Sequence, residues 1–299
     1  RDKAEQKAHS FIGRIKSIKS ARPGMIVGVM GCLAQQWGCE FFARSPHLDF
    51  ICGTHALDSI PSLVRRAGEG ERRLEDTAFR DYPGSLGSWA VSSSPGVSTF
   101  VNIMQGCDNF CAYCIVPYVR GRERSRPSTD IIDEVKAFAD RGVSEVTLLG
   151  QNVNSYGKGL PEKIDFPSLL RKVGAVKGIR RIRFTTSHPR DLSEALMNAF
   201  VEIDALCEHI HLPFQAGSDR VLQSMKRGYT AEDYLRKIDG LRSRVPLISL
   251  STDIIVGFPG ETDDDFEKTI DLMHKVRFDN AFSFKYSDRS GTAAAAFDN

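Results

Sequence analysis

The chain has 299 residues, 41% of them hydrophobic, so it can fill one large globular core or two ordinary ones. Its 40 Lys and Arg stand against 38 Asp and Glu, a formal charge of +2, so a polyanion would have to be met by a local patch rather than by the net charge. No apolar run approaches the ~18 residues of a membrane span, and the opening RDKAEQKAHSFIGRIKSIKS is too charged for a secretory signal, which predicts a cytoplasmic protein.

In chain order, Met25–Met30 and Leu48–Cys52 are apolar runs of strand length, and Ser59–Ala67 has helical spacing. Residues 1–67 therefore read as an α/β layer. Residues 68–97, with PGSLGSW and SSSPG inside them, read as a linker. From 98 to 299 strand and helix signals alternate. Strands are expected at Phe100–Met104, Glu145–Leu149, Arg181–Thr186, His209–Phe214, Leu250–Gly257 and Ala281–Tyr286. Helices are expected at Ile131–Arg141, Glu194–Val201, Glu232–Arg242 and Asp264–Val276. Ser128-Thr129-Asp130, Ser193 and Thr262 are the helix-start signals. Six βα units predict a parallel sheet curled into a partial (βα)6 barrel, with its chemistry at the C-terminal ends of the strands.

The stretch GCDNFCAYC, which follows the first of those strands, holds Cys107, Cys111 and Cys114, three of the seven cysteines. An odd cysteine count with no export signal argues against a disulfide framework and for thiolates that bind metal. Zinc usually takes four ligands in two pairs, and no second pair follows at the required spacing. A redox C-x-x-C would leave Cys107 unused. Three thiolates on a [4Fe–4S] cluster leave one iron open to a small molecule, and this is the reading the spacing favours.

With Tyr113 directly before the last cysteine, this loop resembles the radical S-adenosylmethionine superfamily. GCLAQQ (31–36), CIVPYVRGRERSRP (114–127), LLGQNVNSYG (148–157), HLPFQAGSDRVLQSMKRGYT (211–230) and STDIIVGFPGET (251–262) narrow the resemblance to the methylthiotransferases, and within them to the MiaB-type tRNA enzymes. The resemblance implies that Cys107, Cys111 and Cys114 bind a reducing [4Fe–4S] cluster whose open iron takes S-adenosylmethionine. Tyr113 would lie near the adenine of that cofactor. Gly150, Gln151 and Asn152 would contact it from the second strand end. Ser187 and His188 after the third strand, Gln215, Gly217 and Ser218 after the fourth, and Gly257 to Glu261 after the fifth extend the same rim. The last motif departs from the superfamily's G-x-I-x-G-x-x-E form, with Asp253 and Gly260 at two of its positions.

The implied reaction places a methylthio group on carbon 2 of an N6-isopentenyladenosine beside the anticodon. The base would be splayed into the barrel mouth. Partners would be the tRNA anticodon loop and an electron donor such as flavodoxin or ferredoxin, with the chain a monomer. Arg120, Arg122, Arg124 and Arg126 recur every second residue, so an extended chain would present all four on one side as a clamp on RNA; the alternative is a solvated face paired with Glu123 and other carboxylates. Cys32 in GCLAQQ matches one of three family cysteines that hold an auxiliary [4Fe–4S] cluster. The other two would lie upstream of Arg1, and the family's C-terminal RNA-binding β-barrel would follow Asn299. An N-terminal remnant of this kind is expected to expose Ile26, Val27 and Val29. Cys39, Cys52 and Cys207 read as small buried hydrophobes. The rivals are methylthiotransferases that act on threonylcarbamoyl-adenosine tRNA or a ribosomal protein. Outside that family, a zinc-knuckle nucleic-acid-binding module or an iron–sulfur sensor fits the same cysteines.

Overall fold

The computed structural model describes residues 2–80 and 96–297, which cluster into two compact units. The Gly- and Ser-rich middle of the expected linker, 81–95, lies outside the described residues.

The first unit runs to residue 80 and also takes in Tyr118–Gly121. It contains α1 (Asp2–Ala21), β1 (Gly28–Met30), α2 (Cys32–Trp37), α3 (Glu40–Arg44), β2 (Phe50–Cys52), α4 (Ile60–Gly68) and β3 (Leu74–Asp76). The strands form a parallel sheet in the order β1-β2-β3, with Gly28 opposite Phe50 and Phe50 opposite Leu74. Such a sheet needs cover on both faces. Ile12, Val27, Phe41, Phe42 and Ile51 pack on one, and Phe50, Leu63, Ala67 and Leu74 on the other. Two expectations change here. Residues 74–76, read as linker, are a sheet strand. Val27, expected at an exposed surface, is buried because α1 lays Ile12 against it. The buried Asp49 ties the layer together: its carboxylate accepts from the Val27 N–H at 2.8 Å, from Arg72 Nη1 at 2.6 Å, and from Lys19.

The second unit begins with β4 (Ser98–Asn102) and β5 (Met104–Gln105), followed by the start of α5 (Val116–Arg120), whose residues from Tyr118 on cluster with the first unit, and then by β6 (Arg124–Ser125) and α6 (Ser128–Ala139). Then come β7 (Glu145–Leu149), α7 (Phe166–Gly174), β8 (Arg181–Thr185), α8 (Glu194–Glu202) and β9 (His209–His211). The unit ends with α9 (Asp219–Ser224), α10 (Ala231–Arg244), β10 (Ser249–Val256), α11 (Asp263–Val276) and β11 (Asn280–Lys285). Parallel ladders join β4-β7-β8 and β9-β10-β11, and an Ile182–Leu206 bridge connects the two sets. Each of the six expected strands has its counterpart, in chain order, and among the described residues β4 and β11 do not pair. The result is the partial (βα)6 barrel that the alternation predicts.

Side chains alternate along these strands. Val146, Leu148, Ile182, Phe184, Ile210 and Leu250 join the helices in one apolar core. On the other face Arg181, Arg183, His209 and His211 stay half-buried or exposed. Capping follows the expected signals in part. Ser193 Oγ accepts from Leu196 N–H, and Thr262 forms a reciprocal capping box with Asp265. At α6, however, Pro127 is the N-cap, and the Ser128 N–H and hydroxyl both turn to Glu162, at 2.7 and 2.5 Å.

Candidate active site

The Cys107–Cys114 loop leaves the C-terminal end of β5 through Gly106, whose φ of 80° places it in the left-handed region that favours glycine. Three ties hold it. The Gly106 N–H donates to Gln151 Oε1 at 2.7 Å. The Ala112 N–H donates to Met225 O at 2.9 Å, and Ala112 O accepts from Ala294 N–H at 2.8 Å. Cys107 and Cys111 are buried and Cys114 is half-buried. Burial pushes the thiol of Cys107 up to about 11 and that of Cys114 up to about 12, and negative charge on the neighbouring sulfurs adds to both. These are thiols that would give up their protons to a metal and only with reluctance to water.

Among the described residues, no group of three His, Cys, Asp or Glu side chains is placed to hold a single metal ion. Three thiols in one loop, close enough to act on each other electrostatically, are the donor set that a cubane with one open iron would need.

Next to this loop lies Arg227, which no local spacing in the sequence connects to it. Its guanidinium donates from Nη1 to Cys111 Sγ at 3.5 Å and to Tyr113 OH at 3.3 Å. Nη2 donates to Pro213 O at 2.8 Å, and Nε to Tyr229 OH at 3.1 Å. Tyr113 packs against a small apolar cluster that includes Ala112, Ala216, Met225 and Phe258. Burial raises its phenol pKa well above the ordinary value, so it remains a neutral hydroxyl.

The other strand ends bring together the rim residues. After β7, Gly150 has no room for a Cβ, which would stand 2.4 Å from Met104 Cγ; its size is set by this close packing. Gln151 is committed to Gly106. Asn152 is buried and donates from Nδ2 to Asp191 Oδ2 at 2.6 Å, while its Oδ1 has no partner. After β8, the buried Ser187 Oγ and His188 Nε2 also lack partners. His188 Nδ1 accepts from Arg190 N–H at 3.2 Å. Burial, with Arg227 and Arg190 nearby, pushes its pKa down to about 2, so the imidazole is neutral with its proton on Nε2. After β9, Gln215 has φ 71° and Ser218 Oγ donates to Asp265 Oδ1 at 2.5 Å. After β10, the Gly257 N–H donates to Glu261 Oε2, and open space surrounds the place of its Cβ. Orphaned buried polar atoms are rare in folded proteins. Here Asn152, Ser187 and His188 supply three of them within one stretch of rim, which suits a polar ligand.

The arginine run does not form the extended clamp. Arg120 ends α5, and Gly121 with φ 76° breaks the chain direction after it. Arg126 is 4% exposed, pairs with Glu134 at 2.7 Å and donates to Asn102 O at 2.6 Å. Arg124 lies half-buried in β6. Arg122 is the exposed member, over the Phe110 ring at 4.6 Å and 3.5 Å from Asp108. Glu123, named as a pairing partner, instead accepts from Ser155 Oγ at 2.6 Å. In the first unit, Cys32 opens α2 and accepts a hydrogen bond from Arg120 Nε at 3.3 Å. Of the cysteines read as buried hydrophobes, Cys52 is buried, Cys207 is half-buried and Cys39 is exposed at the start of α3.

Known proteins share both the sequence and the fold. The family model of the Radical SAM superfamily matches residues 101–273, and that of the Uncharacterized protein family UPF0004 matches residues 1–53. A tRNA-2-methylthio-N(6)-dimethylallyladenosine synthase of Syntrophus aciditrophicus is 54% identical over 298 residues, covering 100% of this chain and 65% of the relative. One of Geotalea uraniireducens is 53% identical, covering 99% and 68%. The chain thus spans about two thirds of the length of these relatives. Among solved structures, the radical S-adenosylmethionine methyltransferase TsrM of Kitasatospora setae superposes with a TM-score of 0.68 at 16% identity, over 93% of this chain and 58% of that one. The cobalamin-dependent enzyme OxsB superposes at 0.62 and 12%, over 97% and 44%; these two likenesses carry the fold alone. From the family match over the barrel and identity above 50% along the whole chain, the chain belongs to the radical SAM superfamily and, within it, to the family of the tRNA-2-methylthio-N(6)-dimethylallyladenosine synthases.

Proposed function

We propose that this chain carries the catalytic core of an enzyme that adds a methylthio group to carbon 2 of N6-dimethylallyladenosine in tRNA, working in the cytoplasm with an external one-electron donor of the flavodoxin or ferredoxin type. Cys107, Cys111 and Cys114 would hold a [4Fe–4S] cluster and Cys32 would contribute to an auxiliary one. When bound, the reducing cluster supplies the electron that cleaves S-adenosylmethionine and so starts hydrogen abstraction from the base. The chain's own residues provide the setting. Gln151 and Ala112 fix the cysteine loop. The unpartnered Asn152 Oδ1, Ser187 Oγ and His188 Nε2–H offer one acceptor, one hydroxyl and one neutral donor to a zwitterionic cofactor. Glu261 fixes the backbone at Gly257, where the space for a Cβ is open.

The observation that carries this reading is the three-thiol loop at the C-terminal rim of a partial barrel, in a chain about half identical to relatives of that name. The RNA-contact role expected of the arginine run narrows to Arg122, the exposed one, with Arg124 beside it. Deleting the gene in its native host and analysing digested tRNA by mass spectrometry tests the reading. Loss of the 2-methylthio nucleoside with accumulation of the N6-dimethylallyl precursor is the expected result. An unchanged nucleoside profile would refute it.

A further inference from the structure

Arg227 is 4% exposed, and burying a cation is costly unless something negative or strongly accepting compensates. Its acceptors are a carbonyl, two phenols and a thiol, and the groups that act on it most strongly are Tyr113, Tyr229 and Cys111, none of them a carboxylate. Guanidinium does not lose its proton in proteins. The fold therefore maintains a permanent positive charge that touches the sulfur of Cys111, the middle cysteine of the loop. Lys226 and Gly228 on either side adopt φ of 56° and 71°, a strained turn that aims the side chain inward and is anchored by Arg227 N–H to Leu222 O at 3.0 Å. The carbonyl two residues before Arg227, Met225 O, is the one that holds Ala112, so arginine and cysteine loop are registered to each other.

We propose that Arg227 is a positioning residue for the reducing cluster: its fixed charge beside Cys111 balances the negative charge of a thiolate-ligated cluster and raises the potential at which that cluster accepts its electron. The inference rests on the reading of the three cysteines given above. Hydrogen bonds to the sulfurs and the local charge are the protein's means of setting such potentials. Reduction moves one electron from an external donor to the cluster, which becomes one unit more negative while the donor is oxidised; no bond breaks. A buried guanidinium favours that added charge, and salt screens it little.

The test is an anaerobic reconstitution of wild type, Arg227→Gln, Arg227→Lys and Tyr113→Phe, with iron and sulfide determined, followed by a dithionite titration monitored by electron paramagnetic resonance without S-adenosylmethionine or RNA. At a given poise, Arg227→Gln should show a reduced-to-oxidised ratio 10- to 100-fold below wild type, a midpoint lower by about 59 to 118 mV for a one-electron couple. Arg227→Lys and Tyr113→Phe should stay within threefold of wild type. An Arg227→Gln protein with full iron and a ratio within twofold of wild type would overturn the proposal. If Arg227→Gln holds no cluster, Arg227→Lys decides, and a tenfold fall in that charge-conserving variant would overturn it. A wild type that takes up no iron, or that keeps its cluster when the cysteines are replaced, would instead refute the reading of the loop and leave no cluster for Arg227 to act on.

Discussion

Removing the carboxylate of Asp265 should separate the loop after β9 from the helix that supports it. Asp265 is 3% exposed. Its Oδ1 accepts from Ser218 Oγ at 2.5 Å, and its Oδ2 accepts from Thr262 N–H at 3.0 Å, Thr262 Oγ1 at 2.8 Å and Arg220. Burial alone would raise its pKa, but the hydrogen bonds from Ser218, Arg220 and Thr262 outweigh it and hold the carboxyl well below the usual carboxylate range. In Asp265→Ala, loss of the capping box costs about 1 kcal/mol, and stranding the buried Ser218 hydroxyl costs about 1–2 kcal/mol. The Arg220 side chain is 56% exposed, so that ion pair adds less than about 1 kcal/mol. The total is about 3 kcal/mol, and Asp265→Asn, which keeps one acceptor and the shape, should lose about half. Hydrogen exchange of the α11 amides together with urea titration reads these losses. The carboxylate's contribution is present above the unfolded-state value near 4 and disappears as pH falls below it, so the Asn variant should show a weaker acid dependence. An Ala variant within about 1 kcal/mol of wild type, with α11 exchange unchanged, would show that the carboxylate does not hold this loop to the helix.

His188 is neutral in the fold, whereas an unfolded histidine takes up a proton below about 6.5. Stability should therefore fall with falling pH, by up to about 2 kcal/mol between pH 6.5 and 5, at about 1.4 kcal/mol per unit. His188→Gln should flatten that part of the profile, and parallel wild-type and variant profiles would count against the assignment. Glu123, whose pKa burial raises, acts in the opposite direction, gaining stability as pH falls, and its Gln variant serves as the control of sign. Arg126→Ala should destabilise the fold by about 3 kcal/mol, because it strands Glu134. Arg122→Ala should leave stability within about 0.5 kcal/mol and lower the salt slope of tRNA binding by about one. The reverse pattern would restore the extended clamp.

The barrel was legible because its strands are short apolar runs set between helices with a 3.6-residue period, and that pattern survives whatever the loops do. The cysteine loop was legible because its three sulfurs are close in sequence. The arginine run misled because period 2 implies one face only in an extended chain. Here Pro117 sits in the first turn of a short helix and Gly121 turns the chain after it, so the four side chains go separate ways. Gly150 is held to glycine by Met104, which occupies the space beside it, a contact that no local pattern in the sequence shows. No pattern in the sequence points to Arg227. It meets Cys111 across 116 positions of sequence, and Asn152 meets Asp191 across 39; no local pattern encodes such pairs. The strand at Leu74–Asp76 is three residues with one buried side chain, too little periodicity to stand out from a linker.

Cys107, Cys111 and Cys114 are proposed to act as one ligand set for a reducing cluster at the barrel rim. The most direct measurement is the formation of 5′-deoxyadenosine from S-adenosylmethionine by the anaerobically reconstituted chain under dithionite, for wild type and for Cys107→Ala, Cys111→Ala and Cys114→Ala, with iron determined on the same samples. Product should form with wild type and should not rise above background with any of the three variants, because two thiolates do not hold the cubane with one iron open. Product at the wild-type rate from any one of them would contradict that ligand set.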